Sequence, residues 1–438
     1  MHSIKIPRYA VILILIWLLL IISFFFDPLT PTWTDQSNLI SPFRPKSLET
    51  CLFFQGECLP YSPYALGARL FWGIVIPIAV VCLLLFGSRF WRQVCPLAWI
   101  IQLPRLLGWQ SKRRRIINHD HWLVINSPYI TFFLFFLGLN IRLLFINSDR
   151  LGLGIVLLLI SLAALTSGFW FSGRTWCQYF CPMIAVETIY LGTEGALGNP
   201  LQRKPSKLPT RLCQTIDPHG KPKSACVGCS SPCIDLDETR FYWQQILHPG
   251  RKWSYYGYFG LVIGFFGYFP LYSGNSQFLE SGTVWLETHQ LKTLFQPGFY
   301  LFNQAIAIPK ILAVPLTLSI SVLFGFLVGS FFEKLYKQLL KSKQLSEVTL
   351  QHHCFSFCTF VSFNLLFFMG VQPSLGWLPV DLVKIVSWLL LIVSVVWLYR
   401  ALKRPVPKRF QKRKQKEHAN QNRQKSRLAA TIALRAGK

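Results

Sequence analysis

The side chains best suited to chemistry in this sequence are its twelve cysteines, at positions 51, 58, 82, 95, 177, 181, 213, 226, 229, 233, 354 and 358. Three of them form the run Cys226-Val-Gly-Cys229-Ser-Ser-Pro-Cys233. A C-x2-C step sets two sulfurs on one tight turn, where backbone N–H groups stabilise thiolate charge, and a third cysteine shortly after continues around the same centre. Iron–sulfur clusters are held by such thiolates, and a remote cysteine commonly supplies the fourth corner. Here the candidates for that corner are Cys213, Cys177 and Cys181. A second pattern, Cys177-Gln-Tyr-Phe-Cys181-Pro182, puts two side chains on the same side of one helical turn, about 5–6 Å apart at Cβ. The proline after Cys181 takes that cysteine out of continuous helix. Zinc sites with four cysteines use the same C-x2-C spacing, so zinc stays open as a ligand for one tetrahedral site, although it leaves the remaining cysteines without a purpose.

Membrane helices have to position these cysteines. Of the 438 residues, 52% are hydrophobic and 14% charged, with 15 Trp and 37 Phe, a composition short of the polar surface a soluble domain needs. The net charge of +27 sits between apolar runs and in a C-terminal tail. That is the distribution of membrane topology and not of a nucleic-acid groove. Apolar runs near the length of a membrane helix occupy Ala10–Phe26, Leu70–Gly87, Trp122–Ile146, Leu151–Phe171, Ser254–Tyr272, Ile311–Phe332, Cys354–Val371 and Leu382–Tyr399. The first, preceded by Lys5 and Arg8, resembles a signal peptide. It runs on through Ser23–Phe26 with no small-residue cleavage site, which predicts an uncleaved anchor.

Loop charge sets the orientation. With a cytoplasmic N-terminus the inner loops carry Arg89, Arg92, Arg105, Lys112–Arg115, Arg203–Arg211, Lys221–Lys252 and Lys334–Lys343, whereas Asp27–Ala68 and Ser273–Ile308 are poor in positive charge. The expected fold is therefore an all-α integral membrane protein of about eight transmembrane helices with both termini cytoplasmic. Residues 1–171 hold the first four helices, 172–252 a cytoplasmic cysteine-rich iron–sulfur loop with six of the twelve cysteines, 253–400 the last four helices, and 401–438 a basic tail. The tail lacks apolar periodicity and reads as a disordered segment drawn to anionic lipid headgroups. Thiols stay reduced in the cytoplasm, so the clustered cysteines on that side read as metal ligands, while Cys51 and Cys58, outside, read as a disulfide.

A weak internal repeat links two of these regions. Gly87-Ser-Arg-Phe-Trp-Arg-Gln-Val-Cys95-Pro96 aligns with Gly173-Arg-Thr-Trp-Cys177-Gln-Tyr-Phe-Cys181-Pro182, each after the inward end of a span. At Trp176–Pro182 and Cys226–Cys233, over roughly residues 70–270, the chain resembles the polyferredoxin-like membrane proteins that accompany periplasmic nitrate and nitrous oxide reductases, the NapH/NosR group. It is closest to a branch whose cluster run reads C-x2-C-x3-C-I-D, as in Cys226–Asp235. The resemblance implies [4Fe–4S] clusters and membrane electron transfer, in a bacterial cytoplasmic membrane or an internal photosynthetic one. It supplies no partner; a cytoplasmic ferredoxin, membrane quinol or other redox subunits are the expected ones. The departures are that Trp91 stands where the first repeat would carry its earlier cysteine and that Ile234 follows Cys233. The inner loops hold seven cysteines, 95, 177, 181, 213, 226, 229 and 233, and two complete clusters need eight. One cluster is expected, with its ligands among Cys177, Cys181, Cys213, Cys226, Cys229 and Cys233 and Cys95 as a further candidate; a second needs a non-cysteine ligand, a three-iron form or Cys354.

The remaining polar groups carry plainer readings. His352, His353, Cys354 and Cys358 lie at the inner mouth of the seventh span and read as a capping histidine and small buried side chains, with haem ligation unsupported because no span has a central histidine. Arg142 and Lys384 read as snorkelling to the interface. Arg174, Arg211, Lys221 and Lys223 are placed to stabilise a reduced, more negative cluster. No buried acidic chain suggests a proton path. Besides an electron carrier, the same ligands suit a redox-sensing, assembly or anchoring subunit, or a zinc-stabilised scaffold.

Overall fold

The computed structural model describes residues 7–44, 51–60, 62–109, 111, 117, 121–171, 173–192, 195–197, 214–216, 222–224, 238–274, 283–287, 290–301, 304–340 and 345–407. Among these, seven helices are long and apolar enough to cross a membrane: α1 (Arg8–Phe25), α2 (Gly67–Ser88), α3 (Ser127–Ile146), α4 (Arg150–Trp170), then, after three shorter helices, Lys310–Leu339, Glu347–Ser374 and Val380–Leu402. The shorter ones are α5 (Met183–Leu191), α6 (Glu238–Gln245) and α7 (Tyr258–Ser273), so the last three long helices are α8, α9 and α10. Strands occur only as three two-stranded antiparallel hairpins among the described residues.

The segment expected as the fifth span is helical, but it is not one of the seven. α7 continues from the short helix Pro249–Lys252 through a π-helical turn, Trp253–Gly257. α7 itself is 16 residues long, and neighbouring segments cover it. Tyr258, Leu261, Phe265 and Tyr268 are all buried. Gly260 and Gly264 let α8 approach, since a Cβ on Gly260 would lie 2.0 Å from the Ser321 carbonyl oxygen and one on Gly264 would lie 2.4 Å from Ser321 Oγ. The other two glycines of this stretch differ. Gly257 faces Phe132 of α3, and Gly267 has nothing within 4 Å.

Lipid-type exposure is concentrated on the other helices. Leu15, Leu19 and Ile22 of α1, Ile320, Leu323 and Leu327 of α8, and Ile385, Leu389 and Ile392 of α10 are exposed at helical spacing. Such an apolar belt is what a bilayer covers, and water would not. Helix ends follow local signals: Asp149 accepts from the Gly152 N–H at the start of α4, and Ser346 accepts from Thr349 N–H at the start of α9.

The hairpin Cys51–Phe54 with Glu57–Pro60 pairs Cys51 with Pro60 and Phe53 with Cys58. The two cysteines thus stand diagonally and not directly opposite.

Candidate metal centre

The internal repeat is reproduced by the backbone. Gly87 and Gly173 both have φ +78°, a left-handed conformation that strains any residue with a Cβ. Eight residues later, Cys95 (φ −69°, ψ 120°) and Cys181 (φ −74°, ψ 124°) adopt the same extended geometry. In each case a proline follows and a helix begins, Pro96–Ile100 after Cys95 and α5 after Cys181. The carbonyls of Cys95 and Cys181 accept from the N–H groups of Ala98 and Ile184, three residues on in both.

Between glycine and cysteine the turns differ. The first stays α-helical, with the Cys95 N–H on the Trp91 carbonyl; the second widens into a π-helical turn, Trp176–Phe180, with the Cys181 N–H on the Trp176 carbonyl. The extra residue in that ring places Cys177 inward, 8% exposed.

Cys95, Cys177 and Cys181 come together in one apolar cluster with Trp176, Phe180, Ala98, Ile101 and residues of α1 and α4. Burial pushes the Cys181 thiol well above its usual range, and the nearby Cys177 and Cys95 push it further; the Met183 N–H opposes this. The Cys95 thiol is raised by burial and held down by the N–H groups of Ala98 and Leu97. Each Cys-Pro turn therefore points backbone donors at its sulfur, the arrangement that stabilises a thiolate.

Three arginines surround the cluster. Arg92 makes a two-pronged contact with Glu187 of α5, Nε to Oε1 at 2.7 Å and Nη2 to Oε2 at 3.0 Å, and Nη2 also donates to the Cys177 carbonyl at 3.0 Å. Arg105 donates through Nη2 to the Gly173 carbonyl and, at 3.4 Å, to that of Phe171. Arg174 is fully buried. Arg92 and Arg105 both belong to the first turn and its continuation, and both grip the backbone of the second. In the other direction, Glu238 of α6 accepts from Ser88 N–H at 2.7 Å and Ser88 Oγ at 2.8 Å, fixing the first turn.

From the sequence Arg92 counts only as inner-loop charge, and Glu187 and Glu238 have no assigned part. The signal lay in the repeat itself, where Arg92 aligns with Gln178 and a lone Glu187 interrupts the apolar α5 sequence. Acidic side chains are also buried outside the runs expected as spans. Glu187, Glu238 and Glu333 are all buried, each against cations or N–H and O–H donors: Glu333, for instance, binds Lys252 at 2.8 Å, Lys337 at 2.7 Å and Tyr256 OH at 3.0 Å.

Cys213, Cys226, Cys229 and Cys233 lie outside the described residues. Among the described residues, no three of His, Cys, Asp and Glu converge to hold a single metal ion. Cys354 and Cys358 are not part of the cysteine cluster: Cys358 packs in a different core, with Sγ donating to the Tyr255 carbonyl at 3.1 Å. His352 has Nδ1 2.7 Å from Tyr242 OH and Nε2 2.8 Å from the Ala401 carbonyl oxygen. Both ring nitrogens are used to tie α6, α9 and α10 together, which leaves none for a haem iron.

No protein-family model matches this sequence, and no curated protein or solved structure matches it either.

Proposed function

We propose that the chain is a membrane iron–sulfur protein that transfers electrons through a [4Fe–4S] centre at the cysteine end of the helices. The observation that carries this reading is the pair of matched Gly-to-Cys-Pro turns, which bring Cys95, Cys177 and Cys181 from two parts of the chain into one apolar cluster. The residues fit such a group in three respects. The thiolates of a cubane each bind a different iron and need not converge on one point, unlike the ligands of a zinc ion. Backbone N–H groups face the sulfurs of Cys95 and Cys181. Trp176 Nε1, buried beside them, has no hydrogen-bond partner among the described residues and is available to an anionic sulfur.

In this reading four of Cys177, Cys181, Cys213, Cys226, Cys229 and Cys233 hold the centre, and the remaining thiolates, with Cys95, are those left for a second cluster. The bound cluster supplies one-electron chemistry. Arg92 keeps the Cys177 peptide in place, and Arg174 puts positive charge next to a group that becomes more negative on reduction. The apolar residues of α1 and α4 keep water from one side. Counting α7, protected from lipid by its neighbours, the chain crosses the membrane eight times and returns both termini to the cytoplasm. The donor is then a cytoplasmic ferredoxin or membrane quinol, and the membrane a bacterial cytoplasmic or photosynthetic one, as the NapH/NosR resemblance implies.

Anaerobically purified protein tests this directly. Iron and acid-labile sulfide in equal amounts, with an EPR signal on dithionite reduction that disappears in Cys226→Ala and Cys229→Ala, is the expected result. One zinc per chain with no iron overturns it and makes the protein a zinc-stabilised scaffold.

A further inference from the structure

At the opposite end of the helices from the cysteines lies a second site built around one arginine. α3 begins at Ser127 and Pro128, which share a small cavity with Gln178 and Tyr179 at the cysteine end. It ends at Ile146, so Arg142 lies at the far end. The sequence reading has Arg142 snorkelling outward. Instead its guanidinium turns inward, 4.0 Å from the centroid of the Trp72 ring and 4.6 Å from that of Phe265.

The arrangement is held from several sides. Trp72 Nε1 donates to the Ile146 carbonyl at 3.0 Å, and Arg142 Nε donates to Asn147 Oδ1 at 3.3 Å. Asn147 is in turn fixed through its N–H to Gln290 Oε1 at 2.8 Å. Arg142 nevertheless has no carboxylate within 4 Å among the described residues, and its terminal nitrogens have no hydrogen-bond partner there. Arg92 and Lys310, by contrast, have Glu187 and Glu287 as partners at 2.7 Å, whereas buried Arg251, like the half-buried Arg142, has no carboxylate among the described residues.

Arg142 lines a cavity of about 50 Å³ with Trp72, Phe266, Phe269, Trp285 and Ser374. That is room for a few waters, at ~10–15 Å³ each, or for one small headgroup. Three π-helical turns meet at it. Phe71–Val75 supplies Trp72, Arg142–Ile146 supplies the arginine, and Phe367–Val371 supplies Gly370 and Val371. Such widened turns recur where a helix has to open for a ligand. Trp285, another lining residue, has no side-chain hydrogen bond among the described residues. A guanidinium fork and an indole N–H offer donors and no charge to balance them, so the complementary group is an acceptor that carries negative charge. The apolar walls of Phe266 and Phe269 suit the chain attached to it.

We propose that this cavity binds the phosphate or carboxylate headgroup of an anionic amphiphile in the leaflet away from the cysteines. This site is independent of the iron–sulfur reading. Native mass spectrometry of the detergent-purified, delipidated chain with added phosphatidylglycerol, phosphatidylcholine or inorganic phosphate tests it. The expected result is one phosphatidylglycerol per chain, retained when others are stripped, at least tenfold weaker in Arg142→Gln and severalfold weaker in Trp285→Phe, with phosphatidylcholine failing to compete. Displacement by millimolar inorganic phosphate keeps the anion site and assigns it to a free anion. Equal retention by wild type and Arg142→Gln, or equal binding of phosphatidylcholine, overturns the proposal. Should Arg142→Gln fail to accumulate, Arg142→Lys keeps the charge without the fork, and with Trp285→Phe it carries the same test: unchanged affinity in both overturns it.

Discussion

The two Cys-Pro turns share a backbone and differ in load. Both start from a left-handed glycine and end eight residues later in an extended cysteine before a proline. The second carries Cys177 and widens into a π-helical turn; the first carries Trp91 at the aligned position and remains α-helical. In place of a second thiol the first turn offers Arg92, whose guanidinium holds the peptide of Cys177 and the carboxylate of Glu187. The repeat has divided its labour: one copy presents two cysteines, and the other presents one and braces its sister. A duplicated turn kept only for packing would have no reason to place a buried ion pair against the backbone of a cysteine.

The comparison can be broken most forcefully at the cysteines. Cys181→Ala and Cys95→Ala should each lose most of the bound iron if the turns face one centre. Full iron retention by Cys95→Ala would show that the first turn braces without ligating. Next in size is the ion pair. Arg92→Met leaves Glu187 buried without its partner and should cost about 3–5 kcal/mol in thermal unfolding. The double variant Arg92→Met with Glu187→Met should recover part of that loss, since two apolar side chains leave no charge stranded; no recovery would argue against the pairing as the source.

Smaller effects separate the two glycines. Gly173→Ala and Gly87→Ala should each destabilise by about 1–2 kcal/mol, the cost of a Cβ in the left-handed region. Gly87→Ala should be the worse of the two, because its Cβ would also meet Glu238 Oε1 at 3.0 Å. An unchanged melting temperature in both would mean that the turns relax freely. The smallest effect belongs to the brace on the first turn. Ser88→Ala removes one hydrogen bond to Glu238 and keeps the backbone one, a loss of about 1 kcal/mol, with iron content unaltered.

Much of the fold was legible because its signals are local. Seven of the eight apolar runs read from the sequence are long helices, with ends displaced by as many as seven residues, as where Glu347–Ser374 stands for the expected Cys354–Val371. The eighth, now α7, is a 16-residue helix covered by other segments, and an apolar run cannot report who its neighbour is. At the candidate site, the alignment of Gly87–Pro96 with Gly173–Pro182 foretold two like turns. It did not show that they meet, nor that Arg92 is the contact. Arg142 misled the reading for a related reason: an arginine near a helix end ordinarily snorkels, and only the positions of Trp72 and Phe265 turn it inward.

By itself the sequence determined the apolar spans, the glycine and proline that bend each cysteine turn, and the cysteine spacing, all properties of a few consecutive residues. The tertiary structure alone decided that Cys95 joins Cys177 and Cys181, that Arg92 finds Glu187 across 95 positions of chain, and that Arg142 faces a cavity without a carboxylate. Those outcomes depend on which helix faces protein and which faces lipid. That choice is made by the packing of the whole set, because burying a charge is tolerable only where a partner segment, distant in the chain, brings its counter-charge or its ring.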